Sequence, residues 1–117
     1  MPIQQDARLC ECNYGVLNGV PAAQLAAARA SHISVPYPDG QSYEQVVAAT
    51  AEFLHDLARE WDGCTVIVIA HSANKWALDC LLNGKRLADL VDAPFGWREG
   101  WRYTVPTGWD GATSAYP

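Results

Sequence analysis

Apolar and polar residues follow two different periodicities along the chain. Over residues 43–61 apolar side chains recur every three to four positions, which predicts a long amphipathic helix with one buried face. Ser42 precedes this stretch and Gln45 follows three residues later, so we expect a capping box at the helix start. Residues 66–69 instead form an unbroken β-branched run, which is typical of a parallel strand that is buried on both faces.

Shorter elements surround these two. They are a helix at 22–30, a helix from Ser72 to Gly84, a helical turn at 85–91 and an edge strand at 101–105. This alternation predicts an α/β fold with a mostly parallel sheet. A strand buried on both faces needs neighbours on both edges, and only two strands are predicted, so we expect a partner chain to complete the sheet. We expect one domain over 1–106, incomplete at its N-terminus, and a flexible C-terminal tail over 107–117.

Composition and charge narrow the classes of function. The 117-residue chain is half apolar and has a formal net charge of -5. We therefore expect a globular domain that does not bind nucleic acid, because such binding needs clustered positive charge. The sequence shows neither a membrane-spanning run nor a signal peptide, so we expect a cytoplasmic protein without a membrane partner. The four cysteines lack zinc-site spacing, which predicts reduced structural thiols, no metal and no cofactor.

Three short segments carry candidate chemistry. One, at 9–19, contains an acid followed by Tyr-Gly and a second Gly; another, at 36–43, contains Gly-Gln-Ser at a predicted helix start. The third, at 66–72, is the apolar run that ends in Ala-His-Ser. In this order the segments resemble the histidine phosphatase superfamily, which includes the phosphoglycerate mutases. The resemblance extends to about residue 106 and implies a truncated phosphoglycerate mutase-like three-layer fold.

The resemblance also implies roles for individual residues. Glu11 would be the proton donor to the leaving oxygen, and His71 would donate hydrogen bonds to phosphoryl oxygens. Tyr14, Ser72 and Asn74 are expected to line the substrate side. The residues are suited to this chemistry, because a neutral carboxylic acid can protonate a departing alkoxide and phosphoryl transfer requires charge stabilisation. In addition, His71 lies between a predicted strand and a predicted helix start, where anionic ligands bind in open α/β sheets.

The sequence departs from the family pattern at its most important motif. The Arg-His-Gly motif, which carries the nucleophilic histidine of the family, does not occur in this chain. Cys10 and Ala49 stand where arginine is common in the family, and Gln41 stands where glutamate is usual. Because loss of a covalent nucleophile costs on the order of a million-fold in rate, we expect no conventional phosphatase turnover.

Three functions stay open on the sequence alone, so whether the protein is an enzyme is undecided. The first is a phosphatase-like or mutase-like protein without its nucleophile. The second is a non-catalytic ligand-binding or interaction module that keeps an anion pocket around His71. The third is a small-molecule acid/base enzyme, of isomerase, cyclase or lyase type, that reuses His71 and Glu11 beside aromatic residues such as Trp97, Trp101 and Trp109. The expected partners are a small-molecule or phosphorylated ligand and a second copy of the chain, in a homodimer or other oligomer.

Overall fold

A computed structural model of the protein describes residues 3–94, 96 and 98–110. The helices are α1 (Ala22–Ala28), α2 (Tyr43–Glu60), α3 (Ser72–Asn83) and α4 (Leu87–Leu90), and short 3-10 helices lie at Ala7–Leu9, Gly15–Leu17 and Arg29–His32. Helices α2 and α3 pack against each other at the centre of the molecule. No described helix is long and apolar enough to cross a membrane.

Helix α2 confirms the periodicity of residues 43–61. The Ser42 hydroxyl accepts a hydrogen bond from the Gln45 N–H, and the Gln45 side chain accepts one from the Ser42 N–H, which forms the predicted capping box. One face of the helix is buried, and it consists of Tyr43, Val46, Val47, Thr50 and Leu54. Spacing and capping therefore determine both the start of this helix and the side that enters the core.

The core between α2 and α3 is completed by loop residues and by α4. Its other buried apolar side chains are Cys12, Tyr37, Ala73, Ala77, Cys80, Leu81, Leu87 and Val91. A fully buried aliphatic or aromatic side chain contributes roughly 1.5–3 kcal/mol through removal from water. Because most of these side chains come from α3, α4 and the loop that precedes α2, the core fixes the positions of the segments that carry the candidate chemistry.

A buried carboxylate anchors the segment after α4. Asp79 of α3 is 2 % exposed, and it accepts hydrogen bonds from Lys75 Nζ at 2.8 Å and from the Tyr103 hydroxyl at 2.7 Å. The Lys75 ammonium compensates the buried charge, and the bond from Tyr103 ties the C-terminal segment to the helix. Helix α3 ends where predicted, at Gly84 with φ 68°.

The predicted α/β fold with a mostly parallel sheet is wrong for this structure, since none of the described residues forms a strand. No backbone hydrogen bond joins residues 65–70 to another described residue. The four side chains at 66–69 are also 42, 72, 37 and 91 % exposed, so the run is not buried. The expected edge strand at 101–105 is irregular as well. A β-branched run shows the tendency to form a strand, but strand formation also needs a neighbour for the backbone, and no described segment supplies one.

Two further expectations fall on residues outside the described part of the chain. Trp97 is one of the tryptophans expected beside a cavity, and 111–117 form most of the expected tail. The preceding residues turn back on themselves, because the Trp109 N–H donates to the Pro106 carbonyl at 3.0 Å. The expected domain limits at 1–106 stay a prediction.

Candidate functional site

Two loops that carry the first two motifs are held together by their backbones. The Gln41 N–H donates to the Asn13 carbonyl at 2.7 Å, and the Val16 N–H donates to the Pro38 carbonyl at 3.0 Å. The Gln41 side chain adds a third bond by accepting from the Asn13 N–H at 2.8 Å. These contacts join segments that are about 25 residues apart in sequence. We call them the paired loops, 13–16 and 37–41.

Glycine is required where the paired loops touch. A Cβ atom added to Gly15 would lie 1.9 Å from the Pro38 carbonyl oxygen, and one added to Gly40 would lie 2.3 Å from the Asn13 carbonyl oxygen. Gly15 also has φ 57°, a left-handed conformation that is costly for other residues. The Tyr-Gly and Asp-Gly dipeptides of the motifs are thus explained by the close approach of the two backbones.

Asn74, two residues after the third motif, connects that motif to the first through its side-chain amide. This side chain is 1 % exposed, and its oxygen accepts a hydrogen bond from the His71 N–H at 3.0 Å. Its amide nitrogen donates to the Cys10 carbonyl at 3.4 Å. One buried amide therefore caps the start of α3 and connects it to the residue that precedes Glu11.

This arrangement brings His71 and Glu11 together. His71 Nδ1 lies 3.7 Å from Glu11 Oε2, although the residues are sixty positions apart. The side chains are 52 % and 40 % exposed, so a ligand from solvent has access to both. The other carboxylate oxygen of Glu11 accepts from the Cys12 N–H at 2.9 Å, which orients the group. A separation of 3.7 Å is too long for a hydrogen bond, and the contact is an ion pair when the imidazole carries a proton.

The start of α3 adds a favourable field for anions. His71 is the N-cap of this twelve-residue helix, and Ser72 is its exposed first residue. The first turn of a helix carries unpaired N–H groups and the positive end of the helix dipole. An anion that reaches the His71 imidazole therefore lies on the favourable side of α3.

Tyr14 lies in an aromatic cluster beneath the site. Its ring packs edge-on against Tyr37 with 5.0 Å between centroids, and the hydroxyls of Tyr37 and Tyr43 are 2.8 Å apart. Burial, and secondarily the nearby Glu11 carboxylate, raise the pKa of Tyr14 to about 12. Tyr14 is therefore a neutral phenol near pH 7, and its ring supports the loop that carries Glu11.

A cavity of about 300 Å³ lies beside Glu11. Its walls are formed by Ala7, Arg8, Cys10, Glu11, Asn13, Gln41, Val46 and Ala49. The guanidinium of Arg8 contacts Asp6 and Asp56 at 2.7 and 2.8 Å, so its charge is compensated within the protein. Glu11 thus belongs both to this cavity and to the pair with His71.

Two of the tryptophans that the acid/base alternative would place at a cavity lie elsewhere. The ring of Trp101 lies 5.0 Å from Lys75 Nζ, and Trp109 packs at the edge of the hydrophobic core. The wall residues of the cavity include no aromatic side chain. The cavity is therefore not the aromatic one that the acid/base alternative predicts.

The thiols and the possible metal ligands are dispersed. All four cysteines are free, Cys10 and Cys64 at the surface and Cys12 and Cys80 in the core. Burial raises the pKa of Cys12 to about 12, which keeps this thiol protonated and unreactive. In the part of the chain that the structure describes, no group of three or more histidine, cysteine or acidic side chains is placed to hold a metal ion.

Sequence reasoning singled out Glu11 and His71 but missed what holds them. Gln41 stands out in the sequence only as a departure from the family pattern, yet together with Asn13 it joins the paired loops. Asn74 was expected at the substrate side, and the structure gives it a buried, bridging position. The glycines at 15 and 40 were the available signal, because a glycine in each of two motifs fits a close backbone approach.

Comparison with known proteins agrees with this order of segments. Residues 1–96 match the family described as "Histidine phosphatase superfamily (branch 1)". No curated protein gives a significant match. The matched range holds all three motif segments and more than half of the chain. This chain belongs to the histidine phosphatase superfamily.

Proposed function

We propose that this protein binds a small phosphorylated ligand at His71 and Glu11, and that it does so without conventional phosphatase turnover. The observation that supports the proposal best is the 3.7 Å approach of His71 Nδ1 to Glu11 Oε2 at the start of α3. An imidazole at a helix N-terminus can donate a hydrogen bond to a phosphoryl oxygen, and the helix dipole favours the negative charge. In this proposal His71 is the main phosphate-binding residue.

Glu11 has the opposite effect on an anion unless it carries a proton. As a carboxylate it repels a phosphoryl group bound at His71, and as a neutral acid it can donate a hydrogen bond to that group. The cavity beside Glu11 gives room for the non-phosphorylated part of the ligand. Glu11 therefore adjusts the affinity, and the amides of Asn13 and Gln41 can contact an uncharged polar group.

In this proposal neither of the other two histidines acts as a nucleophile. His32 stacks on Tyr37 with 4.0 Å between centroids, and its Nδ1 lies 3.0 Å from the Val35 carbonyl. His55 lies on the exposed side of α2 with its Nδ1 3.9 Å from Asp56. The sequence has three histidines and no Arg-His-Gly motif. These contacts favour a binding function over phosphoryl transfer through a histidine of this chain.

Calorimetric titration with inorganic phosphate tests the proposal. We expect weak, saturable binding, with a dissociation constant on the order of 1 mM. His71→Ala removes a charge-assisted donor and should weaken binding at least tenfold, since such a hydrogen bond contributes about 1.5–3 kcal/mol. Glu11→Gln removes a repelling charge and should strengthen binding by about threefold to tenfold.

His55→Ala is the matched control, because His55 is half exposed and lies beside a carboxylate as His71 does. It should leave phosphate binding unchanged. An aryl phosphate incubated with the wild-type protein should release no phosphate above background. Equal weakening by His71→Ala and His55→Ala, or steady turnover of the aryl phosphate, would contradict the proposal.

The cavity favours a second candidate, an acid/base enzyme acting on a small uncharged molecule. Glu11 is the acidic residue of the cavity wall. The other wall residues are uncharged except Arg8, whose charge is balanced by Asp6 and Asp56. A carboxyl group in such surroundings can exchange a proton with a bound substrate. Nuclear magnetic resonance with small cyclic ketones is a direct test. Shifts at Asn13 and Gln41 without any phosphate binding would favour this candidate over the first.

A further inference from the structure

We propose that the cavity beside Glu11 binds a neutral carbonyl group, as in a carboxamide or a lactam, through the side-chain amides of Asn13 and Gln41. The same surroundings disfavour a carboxylate. The carbonyl group belongs to the part of the ligand that carries no phosphate, so this proposal rests on the proposed function. Its test uses a probe without phosphate, and the two proposals can therefore fail separately.

The orientation of both amide groups is fixed by backbone donors. Gln41 Oε1 accepts from the Asn13 N–H at 2.8 Å, and Asn13 Oδ1 accepts from the Gly15 N–H at 2.9 Å. A backbone N–H can only donate, so the side-chain atom that it contacts is the amide oxygen and not the nitrogen. Asn18 Nδ2 donates a further bond to Asn13 Oδ1 at 3.3 Å. Both amide oxygens are therefore occupied within the protein.

The amide nitrogens of the same two residues stay available. The backbone N–H and carbonyl groups of Asn13 and Gln41 all take part in hydrogen bonds. Asn13 Nδ2 and Gln41 Nε2, in contrast, have no hydrogen-bond partner among the described residues. Both side chains line the cavity. The cavity wall therefore offers amide donors, and a ligand satisfies them with an oxygen acceptor.

These donors are ordered before a ligand arrives. Ordering a free side chain weakens binding, and the paired loops already hold both side chains by their oxygens. The close approach at Gly15 and Gly40 fixes the loops in turn. A carbonyl group in the cavity thus meets donors that need little rearrangement.

The other wall residues fit a neutral amide as well. Glu11 is an acceptor when ionised, and it suits the N–H that a carboxamide or lactam carries beside its carbonyl. Ala7, Val46 and Ala49 provide apolar surface for the carbon skeleton. The cavity thus combines oriented donors, one acceptor and an apolar wall.

The charges around the cavity select against a carboxylate. Arg8 is paired with Asp6 and Asp56, and Glu11 is a third carboxyl group at the wall. Acidic groups therefore outnumber the one guanidinium, and an anionic ligand group meets net repulsion. A neutral carbonyl oxygen accepts the same hydrogen bonds without this repulsion.

Nuclear magnetic resonance in phosphate-free buffer tests the proposal with the small lactam γ-butyrolactam. The side-chain NH₂ signals of Asn13 and Gln41 should shift saturably, with a dissociation constant on the order of 10 mM for a ligand of this size. Butyrate has the same number of carbon atoms and carries a carboxylate. It should shift these two signals little at the same concentrations.

Substitutions of equal size separate the loss of a donor from disruption of the loops. Gln41→Glu and Asn13→Asp keep the oxygen that accepts from the backbone and replace the amide nitrogen by a second oxygen. Each should weaken lactam binding about fivefold to tenfold, because a hydrogen bond to the carbonyl is lost. Gln24→Glu is the matched control, since it adds the same charge at an exposed position of α1, and it should leave the affinity unchanged.

The outcomes distinguish the two proposals. Absence of saturable NH₂ shifts, equal shifts with butyrate, or unchanged lactam affinity in both Gln41→Glu and Asn13→Asp would overturn the carbonyl site. Saturable lactam shifts in a protein that does not bind phosphate would overturn the anion site at His71 and support the carbonyl site as a property of the cavity.

Discussion

At the scale of single residues, the site depends on positions where almost no other side chain fits. Gly15 and Gly40 allow two backbones to approach within van der Waals contact, and this approach fixes the loop that carries Glu11. Asn74 is the third such position, because it joins Cys10 to the start of α3. The side chains of His71 and Glu11 are themselves about half exposed, so their geometry comes from these buried or closely packed neighbours.

Gly15→Ala should therefore destabilise the protein and disturb the site. A Cβ atom would collide with the Pro38 carbonyl at a positive φ, which we expect to cost about 2–4 kcal/mol. Gly19→Ala is the control, because Gly19 also has a positive φ but no atom within 4 Å, and it should cost only about 1–2 kcal/mol. Urea unfolding measures both costs. Equal losses for the two variants would show that the paired loops are not tightly held.

Glu11 and His71 could be proposed as site residues from the sequence, but their approach to each other could not be predicted. His71 could be singled out from its place after an apolar run, and Glu11 from the Tyr-Gly that follows it. Their contact requires the Asn74 amide to reach the Cys10 carbonyl, a bond across 64 positions. No local pattern encodes such a contact, since periodicity and capping describe only neighbours in sequence.

At the scale of elements, the helices followed from local patterns and the sheet did not. The capping box at Ser42 and the glycine after Asn83 were correct signals, because capping involves groups within a few residues of each other. The run at 66–69 was read as a buried strand, and it is exposed. A strand requires partners, and counting the predicted strands had already shown that too few were available.

Asn74→Ala tests how the start of α3 is tied to the first motif. The variant loses the cap on the His71 N–H and the bond to Cys10, and we expect a cost of about 1–2 kcal/mol. Phosphate binding should weaken as well, since His71 is no longer held beside Glu11. Ser72→Ala, at the exposed first position of the same helix, should change stability by less than about 0.5 kcal/mol. Indistinguishable unfolding curves for the two variants would contradict the bridging role of Asn74.

At the scale of the whole molecule, the N-terminal segment is attached to α2 by ion pairs around Arg8. Its guanidinium contacts Asp6 at 2.7 Å and Asp56 at 2.8 Å. Hydrogen bonds from Arg8 lower the pKa of both carboxyl groups below the usual 3.8. These contacts link the segment before Glu11 to the central helix, and thereby connect the site to the core.

The attachment predicts an acid-sensitive contribution to stability. Because the pKa of Asp6 and Asp56 is lower in the folded than in the unfolded state, their contribution is present above pH 3.8 and is lost as the pH falls through the folded values. Arg8→Met should therefore flatten the fall of unfolding free energy below about pH 4. Arg59→Met, which removes a 64 % exposed partner of Asp56, should flatten it much less. Urea unfolding at a series of pH values is the measurement, and identical slopes for Arg8→Met and wild type would refute the attachment.

The most direct test of the account is a phosphate titration followed by nuclear magnetic resonance of the backbone amides and the histidine rings. We predict saturable shifts of the His71 ring and of the amides at 71–73, at the exposed start of α3, and no shift of the His55 ring. The same titration of His71→Ala should leave the amides at 72 and 73 nearly unmoved. Shifts that spare the His71 ring, or that persist unchanged in His71→Ala, would contradict the claim that His71 and Glu11 form an anion-binding site.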